Sequence, residues 1–354
     1  MPVNTSRTTY REHTDTENIL KLRQVLSTLP AFCKDYFRAI DSTTTTKTRI
    51  SYAYDIRIFF QFLLDENPAF KNYAMTDFSV AVLDQIKAVD LEEYMEYLKV
   101  YQNGDKTETN GERGLKRKIS ALRSFYAYYY KREMIHTNPT VLIDVPKIHD
   151  KSIIRLDTDE VALLLDYIEH CGDSLTGQKR VYYEKTKERD LAIVTLLLGT
   201  GIRVSECVGL DIEDVDFKNN GIKVTRKGGN EMVVYFGEEV EKALKRYLEV
   251  RAGITPLAGH EHALFYSAQR KRMGVQAVEN MVKKYSRQIT TTKKITPHKL
   301  RSTYGTALYQ ETGDIYLVAD VLGHKDVNTT KKHYAALDDA RRRQAATAVR
   351  LRED

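Results

Sequence analysis

The chain has 354 residues, of which 42% are hydrophobic and 29% charged, as is typical of a globular protein with an apolar core. Its net charge of +6 is compatible with a nucleic-acid partner but does not establish one. The three widely separated cysteines argue for a reducing compartment and against a disulfide scaffold or a zinc ribbon. Because no long apolar run and no signal region are present, we expect a cytoplasmic protein without a membrane segment.

The first part of the chain is predicted to form a helical domain over residues 15–140. Residues 1–14 are polar and are expected to be flexible. Apolar side chains then recur every three or four positions through residue 40, and again over residues 79–101, which is typical of amphipathic helices. Residues 102–111 are rich in Asn, Gly and Thr, so a loop is expected there.

A basic amphipathic helix is predicted over residues 112–134, where apolar side chains step by three and four positions. Four cations outside the apolar stripe are candidate DNA contacts: Lys116, Arg117, Lys118 and Arg123. A helix of this kind can lie along a phosphate backbone, because each neutralised phosphate releases counterions. A solvated surface face explains the same pattern equally well.

The helical domain is followed by a linker and by a second domain. Asn138-Pro139 ends the basic helix, and residues 141–157 have little periodicity, so we interpret them as an interdomain linker. The second domain, residues 158–334, begins with a helix start signal and contains a short helix that is apolar on all sides, Leu191 to Leu198.

The clearest β signal lies between Gly221 and Phe236, where apolar and polar residues alternate on both sides of a glycine-containing turn. The tail 335–354 is rich in Ala and Arg and predicts a C-terminal helix. The expected fold class is therefore mainly α with a small β-sheet or hairpin: a helical domain followed by a mixed α+β domain.

The segment Ile295–Arg301 predicts the start of another helix in the second domain. Thr296 can cap the first amides, and Pro297 stands at the first helical position, where its missing N–H is not needed. His298 and Arg301 are three residues apart and share one face of this helix.

Two glycines are expected to end the helices that follow. Gly313 is a plausible end for the helix of His298, and Gly323 for the next. His324 comes directly after Gly323, and Tyr334 follows ten residues later.

Together these side chains suit the attack of a tyrosine on a phosphodiester. A tyrosine, with a pKa near about 10, is a poor nucleophile unless its target is polarised and a base is close. Arg203 and Arg301 are candidates to neutralise the phosphate, because the planar guanidinium matches its geometry. Lys227, at the hairpin turn, can protonate the leaving oxygen, and His298 can accept the tyrosine proton. This chemistry requires no metal and no cofactor, and the sequence offers no clear metal site.

In this order, the motifs resemble the active-site set of the tyrosine recombinases, the family of phage integrases and Xer proteins. The matching segments are Gly199-Thr200-Gly201-Ile202-Arg203-Val204-Ser205-Glu206, Lys227 in a β-turn, His298-Lys299-Leu300-Arg301, Leu322-Gly323-His324 and Tyr334. The helical domain is similar to the family's core-binding (SAM-like) domain, especially from Leu115 to Pro139. The tyrosine stands one residue further from the last histidine than in many members, which we interpret as a loop variation.

The resemblance implies a role for each matching residue. Arg203 and Arg301 would clamp the phosphate, Lys227 would be the general acid, and His298 the acid and base. His324 would donate a hydrogen bond in the transition state, and Tyr334 would be the nucleophile. Glu206 is expected to hold the helix of Arg203 in place.

The resemblance also implies partners and a reaction. The chain would act on double-stranded DNA as a homo-tetramer on two sites, through a 3′-phosphotyrosyl intermediate and a Holliday junction, with residues 335–354 docking on a neighbouring protomer. It is most similar to Xer recombinases that work as a single protein, which implies chromosome dimer resolution. Three alternatives stay open: a mobile-element integrase, a type IB topoisomerase-like enzyme, and a DNA-binding protein that has lost catalysis.

Overall fold

The computed structural model describes residues 9–149, 153–226, 229–324, 326–328 and 330. It divides the chain into two units, Met1–Asp150 and Lys151–Asp354, which we call the N-terminal and the C-terminal unit. The division falls inside residues 141–157, the segment assigned to a linker. Among the helices of the described residues, none is long and apolar enough to cross a membrane.

The N-terminal unit is built mainly from helices. They are α1 (Tyr10–Ser27), α2 (Cys33–Ala39), α3 (Thr46–Glu66), α4 (Val82–Gln85), α5 (Ala88–Tyr97) and α6 (Glu112–Lys131). Its core is unusually aromatic and includes the fully buried rings of Tyr36, Phe59, Phe60, Phe125 and Tyr129. These rings meet edge to face or tilted, which adds a directional attraction to the apolar area they bury.

One prediction for this unit is wrong at its beginning. Helix α1 starts at Tyr10, inside the segment expected to be flexible, because Thr9 and Glu12 form a capping box. The Thr9 amide donates to Glu12 Oε2 at 2.7 Å, and the Glu12 amide donates to Thr9 Oγ1 at 3.3 Å. The helical pattern predicted through residue 40 is confirmed and forms two helices, with Pro30 between them.

The segment 102–111, expected to be a loop, lies mostly in a β-hairpin. Strands β1 (Val100–Asn103) and β2 (Lys106–Thr109) pair antiparallel, with Asn103 opposite Lys106 across a two-residue turn. Of their eight residues, the structure buries Tyr101 and leaves the others exposed. Because seven of the eight side chains are in solvent, the strands carry no apolar alternation that the sequence could show.

The C-terminal unit contains seven helices within its described residues. They are α7 (Thr158–His170), α8 (Gly177–Thr200), α9 (Val204–Gly209), α10 (Glu238–Ala252), α11 (Val275–Ile289), α12 (Pro297–Thr312) and α13 (Ile315–Leu322). Helix α8 contacts α7, α10 and α12, and residues 191–197 are all buried. Contact on several sides explains why this part of α8 is apolar all round.

The C-terminal unit also contains a three-stranded antiparallel sheet. Its strands are β3 (Val215–Asp216), β4 (Gly221–Thr225) and β5 (Glu231–Tyr235), and they lie in the sheet in this order. The register pairs Ile222 with Val234 and Thr225 with Glu231, which confirms the predicted β structure. The turn between β4 and β5 contains Lys227, which lies outside the described residues.

The two glycine helix ends are confirmed. Gly313 has φ +67° and Gly323 has φ +61°, both in the left-handed region that favours glycine. The start of α12 differs from the prediction in one detail. Thr296 occupies the N-cap position, but its hydroxyl makes no capping hydrogen bond to the described first turn. Pro297 at the first helical position leaves one amide fewer to satisfy there.

Candidate active site

Three arginines from separate elements meet at the C-terminal end of helix α13. Arg226 Nη2 donates to the Val321 carbonyl at 2.6 Å, and Arg301 Nη2 donates to the Leu322 carbonyl. Arg203 Nη2 donates to the Gly323 carbonyl at 3.2 Å. The last carbonyls of a helix lack helical partners and form the negative end of its dipole, so they attract cations. Three successive carbonyls thus accept hydrogen bonds from three guanidiniums beside His324.

Arg203 stands at the N-cap of α9, directly after the turn that ends α8. Glu206 accepts the Arg203 backbone amide at 2.8 Å and the Arg203 side chain, through Nη1, at 2.7 Å. The Glu206 side chain is 3% exposed and that of Arg203 34%. The prediction that Glu206 holds Arg203 in place is therefore confirmed, and the guanidinium is left facing solvent on one side.

Arg301 is 4% exposed and bridges the ends of two helices. Its Nη1 donates to the Gly201 carbonyl at 2.5 Å, and its Nη2 donates to Leu322. Gly201 has φ +61°, and a Cβ there would collide with the ring of Tyr304. Tyr304 is thus a packing residue, and burial raises its pKa, which disfavours it as a competing nucleophile.

The two histidines differ in their surroundings. His298 lies on the first turn of α12, one turn before Arg301, and is exposed, whereas Arg301 is buried. His324 is partly buried, its amide donates to the Ala319 carbonyl at 2.9 Å, and its Nδ1 lies 2.7 Å from Thr330 Oγ1. When the Thr330 hydroxyl donates to Nδ1, the hydrogen resides on Nε2, which is then a donor.

Sequence reasoning missed Thr330 as a partner of His324. Thr330 is fully buried, and a threonine six residues after a histidine is too common a feature to be noticed. The structure thus brings Arg203, Arg301 and His324 to one helix end, with His298 one turn from Arg301. Lys227 and Tyr334 both lie outside the described residues, as does the predicted helix 335–354.

The candidate DNA contacts of α6 are corrected in part. Lys118 Nζ lies 3.2 Å from Asp55 Oδ1, and Arg117 pairs with the other oxygen of the same carboxylate. The side chains of Lys118 and Asp55 are 6% and 2% exposed, so Lys118 cannot reach DNA. Burial raises the pKa of Asp55, against the opposing pull of Lys118 and Arg117.

Arg123 also serves the fold of the N-terminal unit. Its Nε donates to the Thr140 carbonyl at 3.0 Å and its Nη2 donates to the Ile143 carbonyl at 2.7 Å. These bonds tie α6 to the start of the linker segment. Lys116 is exposed, as is Arg117 on the side away from Asp55. A DNA contact from this helix therefore stays a prediction for Lys116 and Arg117.

The chain is similar in sequence to known tyrosine recombinases. The phage integrase family matches residues 155–341. The tyrosine recombinase XerC of Caldanaerobacter subterraneus subsp. tengcongensis is 33% identical over 328 residues, which cover 90% of this chain and 86% of that protein. The tyrosine recombinase XerS of Lactococcus lactis subsp. cremoris (strain MG1363) is 31% identical over 340 residues, which cover 89% of this chain and 93% of XerS.

Solved structures share the fold. A post-cleavage complex of the XerH site-specific recombinase with palindromic difH matches with a TM-score of 0.64 and 19% identity, covering 98% of this chain and 90% of that one. The Tn1549 transposon integrase in complex with circular intermediate DNA matches with a TM-score of 0.63 and 21% identity, covering 89% of this chain and 98% of that one. The prediction of a mainly α fold, with a core-binding and a mixed catalytic part, is confirmed.

Proposed function

The chain belongs to the phage integrase family of tyrosine recombinases, and from this membership we propose how its own residues carry out the reaction. It is an Xer-like site-specific recombinase, an enzyme that cuts and rejoins DNA. Its relatives favour this function over the topoisomerase-like, mobile-element and inert alternatives. The DNA partner of this chain is proposed to be a duplex target site.

One observation carries the assignment of the phosphate site: Arg203 and Arg301 meet beside His324 at the end of α13. Glu206 is hydrogen-bonded to Arg203 there. An incoming phosphodiester would bind through its anionic oxygens to the two guanidiniums. Because the guanidiniums are already held by carbonyls and by Glu206, little reorganisation is needed when charge develops on the pentacoordinate phosphorus.

Each remaining residue has a part in the transfer. The Tyr334 oxygen attacks the phosphorus while His298 takes the phenolic proton. The bond from phosphorus to the 5′ oxygen breaks, and Lys227 protonates this leaving oxygen. The products are a 3′-phosphotyrosyl link and a free 5′ hydroxyl. His324 donates a hydrogen bond from Nε2 to a non-bridging oxygen of the transition state.

The same proposal extends to rejoining and to assembly. The 5′ hydroxyl of a partner strand attacks the phosphotyrosyl link, and Tyr334 leaves, so the number of phosphodiester bonds is conserved. Residues 15–140 would bind DNA and residues 158–334 would carry the chemistry. Four protomers on two sites would exchange strands through a Holliday junction to resolve chromosome dimers, with residues 335–354 docking on a neighbour. We place the enzyme in the cytoplasm, where its DNA substrate and reduced thiols such as Cys33 and Cys207 are expected.

A covalent-trapping experiment tests this proposal. The target site is first obtained by sequencing the DNA bound to the protein in cells. A duplex of that site, nicked beside the cleavage position, loses the short fragment after cleavage and traps the adduct. We expect an SDS-resistant adduct with the wild-type protein and with Tyr304→Phe, but not with Tyr334→Phe. An adduct formed equally by Tyr334→Phe would overturn the proposal.

A further inference from the structure

Arg226 occupies an interior position at the end of strand β4. Along this strand Ile222 and Val224 are buried, whereas Lys223 and Thr225 are exposed. Arg226 continues the buried set and is 9% exposed. Strand side chains alternate between faces, so this arginine replaces what would ordinarily be an apolar core residue. Its side chain is therefore directed toward the interior of the C-terminal unit.

Two contacts connect Arg226 to the residues just before His324. Its Nη2 donates to the Val321 carbonyl at 2.6 Å. Its guanidinium also lies against the backbone of Gly323, where an added Cβ would overlap Nη1 and Cζ. The φ of +61° favours glycine at position 323, and the Arg226 guanidinium occupies the space that a Cβ would take. Arg226 is thus in direct contact with the residue that precedes His324.

Arg226 also fixes the base of the β4–β5 turn. Its amide donates to the Asn230 carbonyl at 2.8 Å, and the Gly229 amide donates to the Arg226 carbonyl at 2.9 Å. The same residue therefore closes the hairpin through its backbone and reaches α13 through its side chain. No other described residue links these two elements by a hydrogen bond from a buried guanidinium.

Among the described residues, the hydrogen bonding of this guanidinium is incomplete, because the buried Nε and Nη1 have no acceptor there. Burial lowers the pKa of Arg226, and the nearby carboxylate of Glu206 offsets part of that effect. A buried cation with unsatisfied N–H groups disfavours the folded state. An apolar side chain of similar length would serve stability at least as well, so stability does not explain the arginine.

We propose that Arg226 is a positioning residue of the recombination reaction, which holds the end of α13 and Gly323 so that His324 meets the scissile phosphate. This inference rests on the proposed role of His324. Arg226 acts by fixing where the chain leaves α13, while Thr330 fixes the rotation of the His324 ring through Nδ1. In this role Arg226 acts through the protein backbone and does not contact the DNA.

The first test separates positioning from a merely structural role. Arg226→Met keeps the length of the side chain and removes the buried charge. We expect its melting temperature to be unchanged or higher, while single-turnover cleavage of the nicked duplex falls by about 10- to 100-fold, because small misplacements of a reacting group have effects of this size. Arg251→Met is the matched control. Arg251 also donates to carbonyls, those of Ala263 and Glu261, so this change should lower the melting temperature and leave cleavage per folded molecule unchanged. Wild-type cleavage by Arg226→Met, or a loss only in step with its melting temperature, would overturn the inference.

The second test asks whether Arg226 acts through His324. In a double-mutant cycle, Arg226→Met combined with His324→Ala should cleave about as slowly as His324→Ala alone. If the two losses multiply, Arg226 acts elsewhere and the inference fails, whereas the role of His324 stands. If His324→Ala cleaves at the wild-type rate, the proposed role of His324 fails and the inference fails with it.

A neutral substrate gives a third readout. A methylphosphonate at the scissile position carries no negative charge, so it should relieve the loss of a group that neutralises the phosphate. We expect it to restore cleavage by Arg203→Ala but not by Arg226→Met. Restoration of Arg226→Met would show a direct contact with the phosphate and would contradict the positioning role.

Discussion

Two groups of cations in this molecule have the same residue types and opposite surroundings. In the N-terminal unit, Lys118 and Arg117 flank the carboxylate of Asp55, which bonds to both cations. At the end of α13, Arg203, Arg226 and Arg301 converge on backbone carbonyls, and Glu206 is hydrogen-bonded to Arg203. Carbonyl oxygens orient a guanidinium without cancelling its charge.

The difference indicates that the partner of a cation decides whether the cation serves stability or the binding of an anion. A carboxylate partner lowers the electrostatic potential around a cation, and at Asp55 it allows Lys118 to be buried. Carbonyl partners fix the direction of the guanidinium but leave the potential positive, which favours a bound anion. The first group is therefore expected to matter for stability, and the second for the reaction with phosphate.

The largest effect is expected at Arg301. Arg301→Ala should slow single-turnover cleavage by about 10²- to 10³-fold, as is usual when one preorganised donor to a developing charge is removed. Because Arg301 is buried, part of any loss could reflect folding. The ratio of cleavage on a methylphosphonate duplex to cleavage on the ordinary duplex removes that contribution. A ratio equal to that of the wild type would mean that Arg301 serves stability, and the two groups of cations would then not differ in role.

His298 gives the next effect and adds a pH dependence. His298→Ala should cleave about 10²-fold more slowly at neutral pH, because the Tyr334 proton has lost its acceptor. The tyrosinate fraction rises about tenfold per pH unit below a pKa of about 10, so the variant's rate should rise with the same slope between about pH 7 and 9. Ser302→Ala, which removes a hydroxyl bonded to the His298 carbonyl, is the matched control and should keep the wild-type pH profile. A flat profile for His298→Ala would argue against its role as the base.

The buried ion pair should affect stability rather than the reaction. Asp55→Asn leaves Lys118 buried without its charge partner, and we expect a loss on the order of 3 kcal/mol in the free energy of unfolding of the N-terminal unit. Denaturant unfolding measures it. Cleavage per folded molecule should not change, and Asp55→Leu with Lys118→Met should recover most of the loss. A cleavage defect in fully folded Asp55→Asn would mean that this group also serves DNA.

The smallest effect is expected at Lys116, an exposed cation of α6. Lys116→Ala should weaken DNA binding a few-fold and lower the slope of log Kd against log salt by about one, because one phosphate contact is lost. Titrations at several salt concentrations measure the slope. Lys131→Ala, at the last residue of the same helix, serves as a comparison for a cation at a different point of α6. An unchanged slope for Lys116→Ala would leave α6 without a demonstrated DNA contact.

Local signals were enough to predict the framework of the site. Pro297 marks the start of α12, Gly313 and Gly323 end two helices, and the alternation around Val224 gives the hairpin. These features depend on residues close together in the chain. Strands β1 and β2 were not predictable, because seven of their eight side chains are in solvent and need no apolar period.

Contacts between distant residues were not predictable from spacing. The helical period separates apolar from basic positions on α6, but it cannot show that Asp55, far away in the sequence, accepts Lys118. In the same way, Arg226 is one of several cations near a turn until its bond to Val321 is known. Burial of a charge depends on which elements pack together, and that is a property of the tertiary structure.

The central claim is that Tyr334 is the residue that becomes linked to DNA. Tryptic digestion of the trapped adduct tests it most directly, because cleavage after Lys332 and Arg341 gives a peptide, residues 333–341, whose single tyrosine is Tyr334. The competing tyrosines of α12, Tyr304 and Tyr309, fall in another peptide, residues 302–325. We expect mass spectrometry to find the nucleotide remnant on the peptide 333–341. A remnant on the peptide 302–325 instead would contradict the account.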